Sequence, residues 1–220
     1  MNNNPLIINY FTDILCVWAW IAERRLEELN IHFGSKIKIS HRYIDLFGDT
    51  DSRIQDQWAE KGLHKGFGAH VMQAAAPYET APVNADVWSK VCPTTSATAH
   101  MIIKAVELTY GYQSAVKFAK VLRESFFINA IDISNLQSLF TLLEKQKFDV
   151  NQIDPVLNNG KALAALMNDY QKANDYGIKG SPSFVLNDGR QNLFGNIGYK
   201  VLKANIEELL AKSTNEASWC

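Results

Sequence analysis

Ile7-Ile8-Asn9-Tyr10-Phe11-Thr12-Asp13-Ile14-Leu15-Cys16-Val17-Trp18-Ala19-Trp20-Ile21 is the stretch on which the reading of the whole chain turns. Pro5 to Phe11 reads as a strand and Thr12-Asp13 as a short turn. Cys16 then opens a helix running through Leu29, with Ile21, Leu26 and Leu29 on one apolar stripe and Glu and Arg residues on the wet side. A cysteine in a first helical turn faces unpaired N–H groups and the positive end of the helix dipole. Both favour the thiolate, the nucleophilic form, so the sequence predicts a Cys16 pKa below the free value. The alternative is a buried, inert cysteine, common for this residue type. Position alone leaves both readings open.

Outward from that stretch, composition sets bounds. The chain has 220 residues, 47% hydrophobic and 20% charged, enough for one large domain or one domain with an insert. A net charge of −1 gives no electrostatic case for nucleic acid or an anionic membrane. No apolar run approaches the roughly 20 residues of a membrane span. Lys and Arg are absent before Arg24, and Asp13 interrupts the apolar stretch, so a secretory signal is not expected. Three cysteines are too sparse and odd in number for a disulfide framework. These bounds lead to the expectation of a cytoplasmic protein.

After the first helix, Lys36 to Asp45 alternates as a second strand, so a parallel pair joined by a right-handed crossover is expected. His41 belongs to that strand pattern. Phe47-Gly48-Asp49-Thr50-Asp51 breaks it. Ser52 to Lys61 and Ala69 to Ala76 have helical character, and Gly62-Leu63-His64-Lys65-Gly66-Phe67-Gly68 between them reads as loop. Gly66-Phe67-Gly68 lacks the rest of a phosphate cradle, and His64 and His70 complete no metal-site spacing, so the segment reads as solvated. Pro82 to Val91 reads as extended or irregular, anchored by Trp88. Thr94 to Ser96 are candidate caps of a helix carrying His100, Met101, Ile102 and Ala105.

Further helices are expected from Ser114 to Phe126, after Asp132 or Ser134, after the Asp154-Pro155 cap, and from Lys161 to Tyr176. Gly177-Ile178-Lys179-Gly180-Ser181-Pro182 then leads into an apolar strand, Ser183-Phe184-Val185-Leu186. Asn187-Asp188-Gly189-Arg190 is a tight turn, Gln191 to Phe194 a returning strand, and Val201 to Ala211 an amphipathic helix.

Strand, Thr-Asp-Ile-Leu, Cys-x-x-x and helix, with glycine, small residue and proline before a late apolar strand, resemble the DsbA-like proteins of the thioredoxin superfamily. The resemblance is to the branch of the FrnE-like proteins, the kappa-class glutathione transferases and the 2-hydroxychromene-2-carboxylate isomerases. It implies an α/β thioredoxin-like fold, a β-α-β … β-β-α mixed sheet interrupted by a helical insertion. The implied division is 1–50 and 177–213 for the thioredoxin-like part, 51–176 for the insertion and 214–220 for a tail. It also implies a cis peptide at Ser181-Pro182 whose backbone faces Cys16 and could pair with an extended thiol peptide.

Redox-active members of the branch carry Cys-Pro-Trp-Cys; this chain has Cys16-Val17-Trp18-Ala19, keeping the first cysteine and the tryptophan. By resemblance Cys16 is the catalytic thiol. Trp18, Ala19, Pro93, Thr94, His100, Ser181 and Pro182 are then its substrate-binding surroundings. No metal and no tightly bound cofactor is expected, and glutathione is the implied co-substrate. The expected partner is a thiol or disulfide, either a small molecule or a peptide, with neither nucleic acid nor membrane and with homodimerisation left open. Three functions follow: a single-cysteine thiol–disulfide oxidoreductase, a glutathione-dependent transferase or isomerase, and a non-catalytic binding module. The transferases carry Gly-x-Asp-Arg after the hairpin, and here Gly195-Asn196-Ile197-Gly198 lacks the Asp and Arg. Whether Cys92 or Cys220 resolves Cys16 adducts is not fixed by sequence.

Overall fold

The computed structural model describes residues 4–211. The expected tail, Cys220 included, lies outside them. β1 (Leu6–Thr12), α1 (Val17–Phe33) and β2 (Ile37–Tyr43) open the chain. β1 and β2 pair in parallel, from Leu6 opposite Ile37 to Thr12 opposite Tyr43. β3 (Ser183–Leu186) then inserts on the other side of β1, antiparallel, and β4 (Gln191–Phe194) adds to β3, giving the order β2-β1-β3-β4. β1 and β3 are central and buried on nearly every residue, so they read as apolar runs with no clean alternation. β4, at the edge, alternates between half-buried and exposed residues. Asn187 and Asp188, at φ 51° and 54°, carry the left-handed turn between β3 and β4 that these two residue types tolerate.

One face of the sheet is covered by α1 and α9 (Tyr199–Ala211), where Leu26 and Leu29 meet Ile8, Phe184, Leu202 and Ile206. Between β2 and β3 the chain runs through α2 (Thr50–Trp58), α3 (Leu63–Ala75), α4 (Ala97–Tyr110), α5 (Tyr112–Phe127), α6 (Leu136–Lys145), α7 (Val150–Asn158) and α8 (Lys161–Asp175). The largest buried cluster joins these helices to α1, with Trp20, Tyr43, Trp88, Phe126 and Leu139 among its members. Trp20 stacks on Phe127 and donates its indole N–H to the Pro82 carbonyl at 3.1 Å, which fixes α1 against the inserted helices. A buried Asp169 on α8 takes Arg42 of β2 at 2.9 Å, Lys104 of α4 at 2.7 Å and the Tyr43 backbone N–H at 3.1 Å. Burying that carboxylate is tolerable because two cations and an amide answer it. No helix of the described residues is long and apolar enough to cross a membrane.

Four sequence expectations shift. Gly62 to Gly68 is no loop: α3 starts at Leu63, right after Gly62 in the left-handed region. Gly66 is helical because nothing larger fits. A Cβ there would lie 1.8 Å from the Lys61 carbonyl oxygen, and one at Gly68 would lie 3.1 Å from Trp88 Cβ. The cap of α6 is Asn135, which accepts from Ser138 N–H, because Asp132 is engaged with Ser134 instead. Asp149 caps α7, accepting from Asn151 N–H, and Pro155 falls inside the helix rather than at its start. Val87–Val91 forms a short π-helical turn around the buried Trp88 where an irregular stretch was expected.

Gly66→Ala is expected to lower unfolding stability by about 1–3 kcal/mol, the usual cost of forcing atoms into a filled space. Gly198→Ala, where an added Cβ meets nothing within 4 Å, should change it little. Urea denaturation of the two variants measures both.

Candidate thiol site

The turn after β1 is built on Asp13. Its carboxylate is fully buried, and Oδ1 accepts from Leu15 N–H at 2.9 Å. Oδ2 accepts from Phe47 N–H at 2.9 Å and from the Ser96 hydroxyl at 2.8 Å. Its own N–H donates to the Ser181 hydroxyl at 2.9 Å. The Asp13 side chain therefore ties together the β1–α1 turn, the loop after β2 and the start of α4, and its backbone N–H adds the segment before β3. Burial pushes its carboxyl pKa up to about 6 although three hydrogen bonds pull the other way. Beside it Ile14 N–H donates to His100 Nε2 at 3.1 Å, so the imidazole is neutral with its proton on Nδ1. Burial holds its pKa well below the usual value.

This scaffold delivers Cys16 to the N-cap of α1, where its carbonyl accepts from Ala19 and Trp20 N–H groups. The Ser181–Pro182 peptide is cis, and the Cys16 thiol donates to the Ser181 carbonyl at 3.2 Å. The expected lowering of the thiol pKa is reversed. Burial pushes it up, the Ser181 hydroxyl and the Ala19 and Trp18 N–H groups pull it down, and the Asp13 carboxylate adds to the rise. The sequence showed the helix start but not that Cys16 would be buried, with the residue only 4% exposed.

Cys16 lies at the base of a cleft of about 290 Å³. Trp18 lines one wall and Ser181 the floor, while Phe47, Trp58, Phe67 and His70 build an aromatic side. Trp58 lies 5.3 Å from Phe67 and 5.1 Å from His70 between ring centroids. Phe194, at the end of β4, forms the lip and is 65% exposed. Its ring crosses Gly180 so closely that a Cβ there would come within 2.4 Å of it.

Cys16, Trp18 and Ser181 thus come together in the cleft, while Pro182 is buried behind Ser181 and is not part of its lining. Ala19 does not reach the cleft, being wholly buried one turn into α1. Pro93 is buried and Thr94 is an exposed residue tied to Thr50 and Ser134, both outside the cleft lining. His100 is buried beneath the turn, against Tyr43, where it accepts from Ile14 N–H, and it does not line the cleft. Cys92 is half-buried, also outside the cleft lining, and its thiol pKa is raised by burial and by Asp51. Sequence reasoning left out Trp58, Phe67 and His70. Phe67 and His70 are spaced three apart on α3, a helical pairing hidden because the sequence reads Phe67 with the glycine loop and only His70 with the helix that follows.

In a chain with Cys92→Ser and Cys220→Ser, the alkylation rate of Cys16 against pH should show a midpoint above the free-thiol value of about 8.5. Asp13→Asn must leave Leu15 or Phe47 N–H without an acceptor, an expected loss of about 1–3 kcal/mol. The folded state takes up the Asp13 proton near pH 6 and the unfolded state only near pH 4, so ionised Asp13 costs stability that returns as pH falls through that window. His100 works the opposite way and is common to both proteins, so it cancels in the comparison. The deficit of Asp13→Asn relative to the native protein should therefore be larger at pH 4.5 than at pH 7, as read by urea unfolding.

The profile of a family described as thioredoxin matches residues 10–209. The ClpXP adapter protein SpxH of Halalkalibacterium halodurans is 28% identical over 216 residues, covering 94% of this chain and 68% of that protein. Among solved structures, a putative protein disulfide isomerase from Nitrosomonas europaea superposes with a TM-score of 0.72 at 15% identity, over 94% of this chain and 98% of that one. The cytosolic disulfide reductase DsbM from Pseudomonas aeruginosa, also solved with GSH, does so at 0.69 and 18% identity, over 94% and 99%. At those identities the structural likeness speaks for the fold, and the profile, which spans most of the chain, answers the question of kinship: this chain belongs to the thioredoxin family.

Proposed function

We propose that this protein is a DsbA-like thiol–disulfide exchange protein that works through one cysteine, Cys16. The observation that carries the reading is the 3.2 Å approach of the Cys16 thiol to the Ser181 carbonyl at the floor of an open cleft. A backbone N–H of an extended partner laid against Ser181 would compete for that carbonyl and release the thiol from its own hydrogen bond. Cys16, once deprotonated, attacks one sulfur of a partner disulfide. A bond forms between Cys16 and that sulfur, and the other sulfur leaves as thiolate. With alanine at position 19, no thiol one turn away can break the adduct. An outside thiol such as glutathione therefore attacks it, restoring Cys16 and carrying the partner sulfur away as a new disulfide. No tightly bound cofactor takes part, and the outside thiol implies a reducing compartment, the cytoplasm.

A second reading, docking without turnover, draws support from the raised Cys16 pKa and from the printed name of the relatives, ClpXP adapter proteins. There the same cleft holds a segment of a partner protein and the thiol is incidental. The glutathione-linked transferase or isomerase reading is weakened by Ile197 and Gly198, which stand where that subfamily has Asp and Arg.

Incubation with oxidised glutathione followed by intact-mass measurement distinguishes the readings. Exchange predicts one glutathione on Cys16, absent from Cys16→Ser and removed by reduced glutathione. A native protein that stays unmodified at pH 9 would leave the docking reading in possession of the site.

A further inference from the structure

The Cys16 cleft is lined by two full cations, Arg53 and Lys179, and by His70, with no carboxylate among its described lining residues. This polarity is local, since the whole chain carries a net charge of only −1. Arg53 is the more telling group. It projects from α2, half-buried, with its guanidinium carbon 4.9 Å from the centre of the Phe47 ring. That stacking holds the planar head in place. Yet among the described residues the Arg53 guanidinium makes no hydrogen bond or ion pair; only the backbone N–H of Arg53 donates, to the Asp49 carbonyl at 3.2 Å. Asp45, Asp49 and Asp56 lie along the adjoining cleft without forming an ion pair to it, and the Asp13 carboxylate is fully engaged with amides and a hydroxyl. Arg53 and Leu46 are shared by the Cys16 cleft and by two neighbouring clefts that run towards Tyr170, whose buried hydroxyl also lacks a partner. Lys179 stands where one of those clefts meets the Cys16 cleft.

We infer that Arg53, aided by Lys179, determines specificity at this site by receiving a carboxylate carried next to the reacting sulfur, so that the partner is an acidic thiol or disulfide, small or peptidic. The inference rests on the exchange reading for its chemistry, but the charge preference can be measured without exchange. An unpaired guanidinium already positioned and partly desolvated gains a strong, bidentate partner when a carboxylate arrives. An ammonium group brought to the same place meets two cations and is repelled.

The experiment uses three small disulfides of similar size, dithiodipropionate, bis(2-hydroxyethyl) disulfide and cystamine, on the full chain with Cys92→Ser and Cys220→Ser. Adduct formation on Cys16 is followed by intact mass. The carboxylated probe should react at least about tenfold faster than cystamine at low salt, within the range of charge-steered encounters. Arg53→Gln should bring the ratio near one, Arg53→Lys should keep most of it, and high salt should compress it. In parallel, the matching thioethers, which cannot exchange, are titrated against tryptophan fluorescence. Carboxylate-dependent binding that Arg53→Gln abolishes, without any adduct, would uphold the inference and remove the exchange reading. Equal reaction of all three disulfides, or a preference that survives Arg53→Gln, overturns the inference and leaves exchange standing.

Discussion

A single buried carboxylate, that of Asp13, holds the functional end of this molecule together. Taking an ionised side chain wholly out of water is costly unless donors replace the water. Here the Leu15 and Phe47 amides and the Ser96 hydroxyl do so, and each comes from a different segment. The Asp13 amide adds a fourth through the Ser181 hydroxyl. The Cys16 turn, the loop leading to α2, the start of α4 and the cis-proline segment are therefore fixed relative to one another by one residue's hydrogen bonds. His100 completes the support by accepting from Ile14. The distance between the Cys16 sulfur and the Ser181 carbonyl is a consequence of this arrangement.

The inserted helices give the site its character. A sheet with α1 and α9 alone would leave Cys16 at an open sheet end. α2 and α3 bring Arg53, Trp58, Phe67 and His70 over it, and the glycines at 66 and 68 allow α3 to pack as closely as it does on Lys61 and Trp88. The same enclosure removes water from the thiol and reverses the effect expected from a helix start. Burial and dipole act in opposition on every cysteine at a helix N-terminus, and here burial prevails. The result is a thiol whose pKa burial raises above its ordinary value.

The solved structures share this architecture under names that record a reductase and a putative disulfide isomerase, and the sequence relative is named a ClpXP adapter. In this chain the cleft sets Ser181 and Cys16 beside aromatic rings, and the position one turn after Cys16 is alanine. The unpaired Arg53 is the feature that separates this cleft from a purely apolar one.

The order of strands, the parallel crossover, the late hairpin and the cysteine at a helix start were all legible in the sequence, because each rests on local periodicity, turn residues or a short motif. Cys16 and the Ser181–Pro182 pair could be named as neighbours only because the motif order resembled a known family; no spacing brings residues 165 apart into contact. Tertiary packing decided the rest. It turned Gly62–Gly68 from apparent loop into helix, since only glycine leaves room for the Lys61 carbonyl and Trp88. It sent His100 beneath the turn while lifting His70 into the cleft, a choice that depends on which helix face meets which neighbour. It also set the ionisation of Cys16, because the helix dipole is a local property readable from sequence, whereas the exclusion of water depends on segments far along the chain.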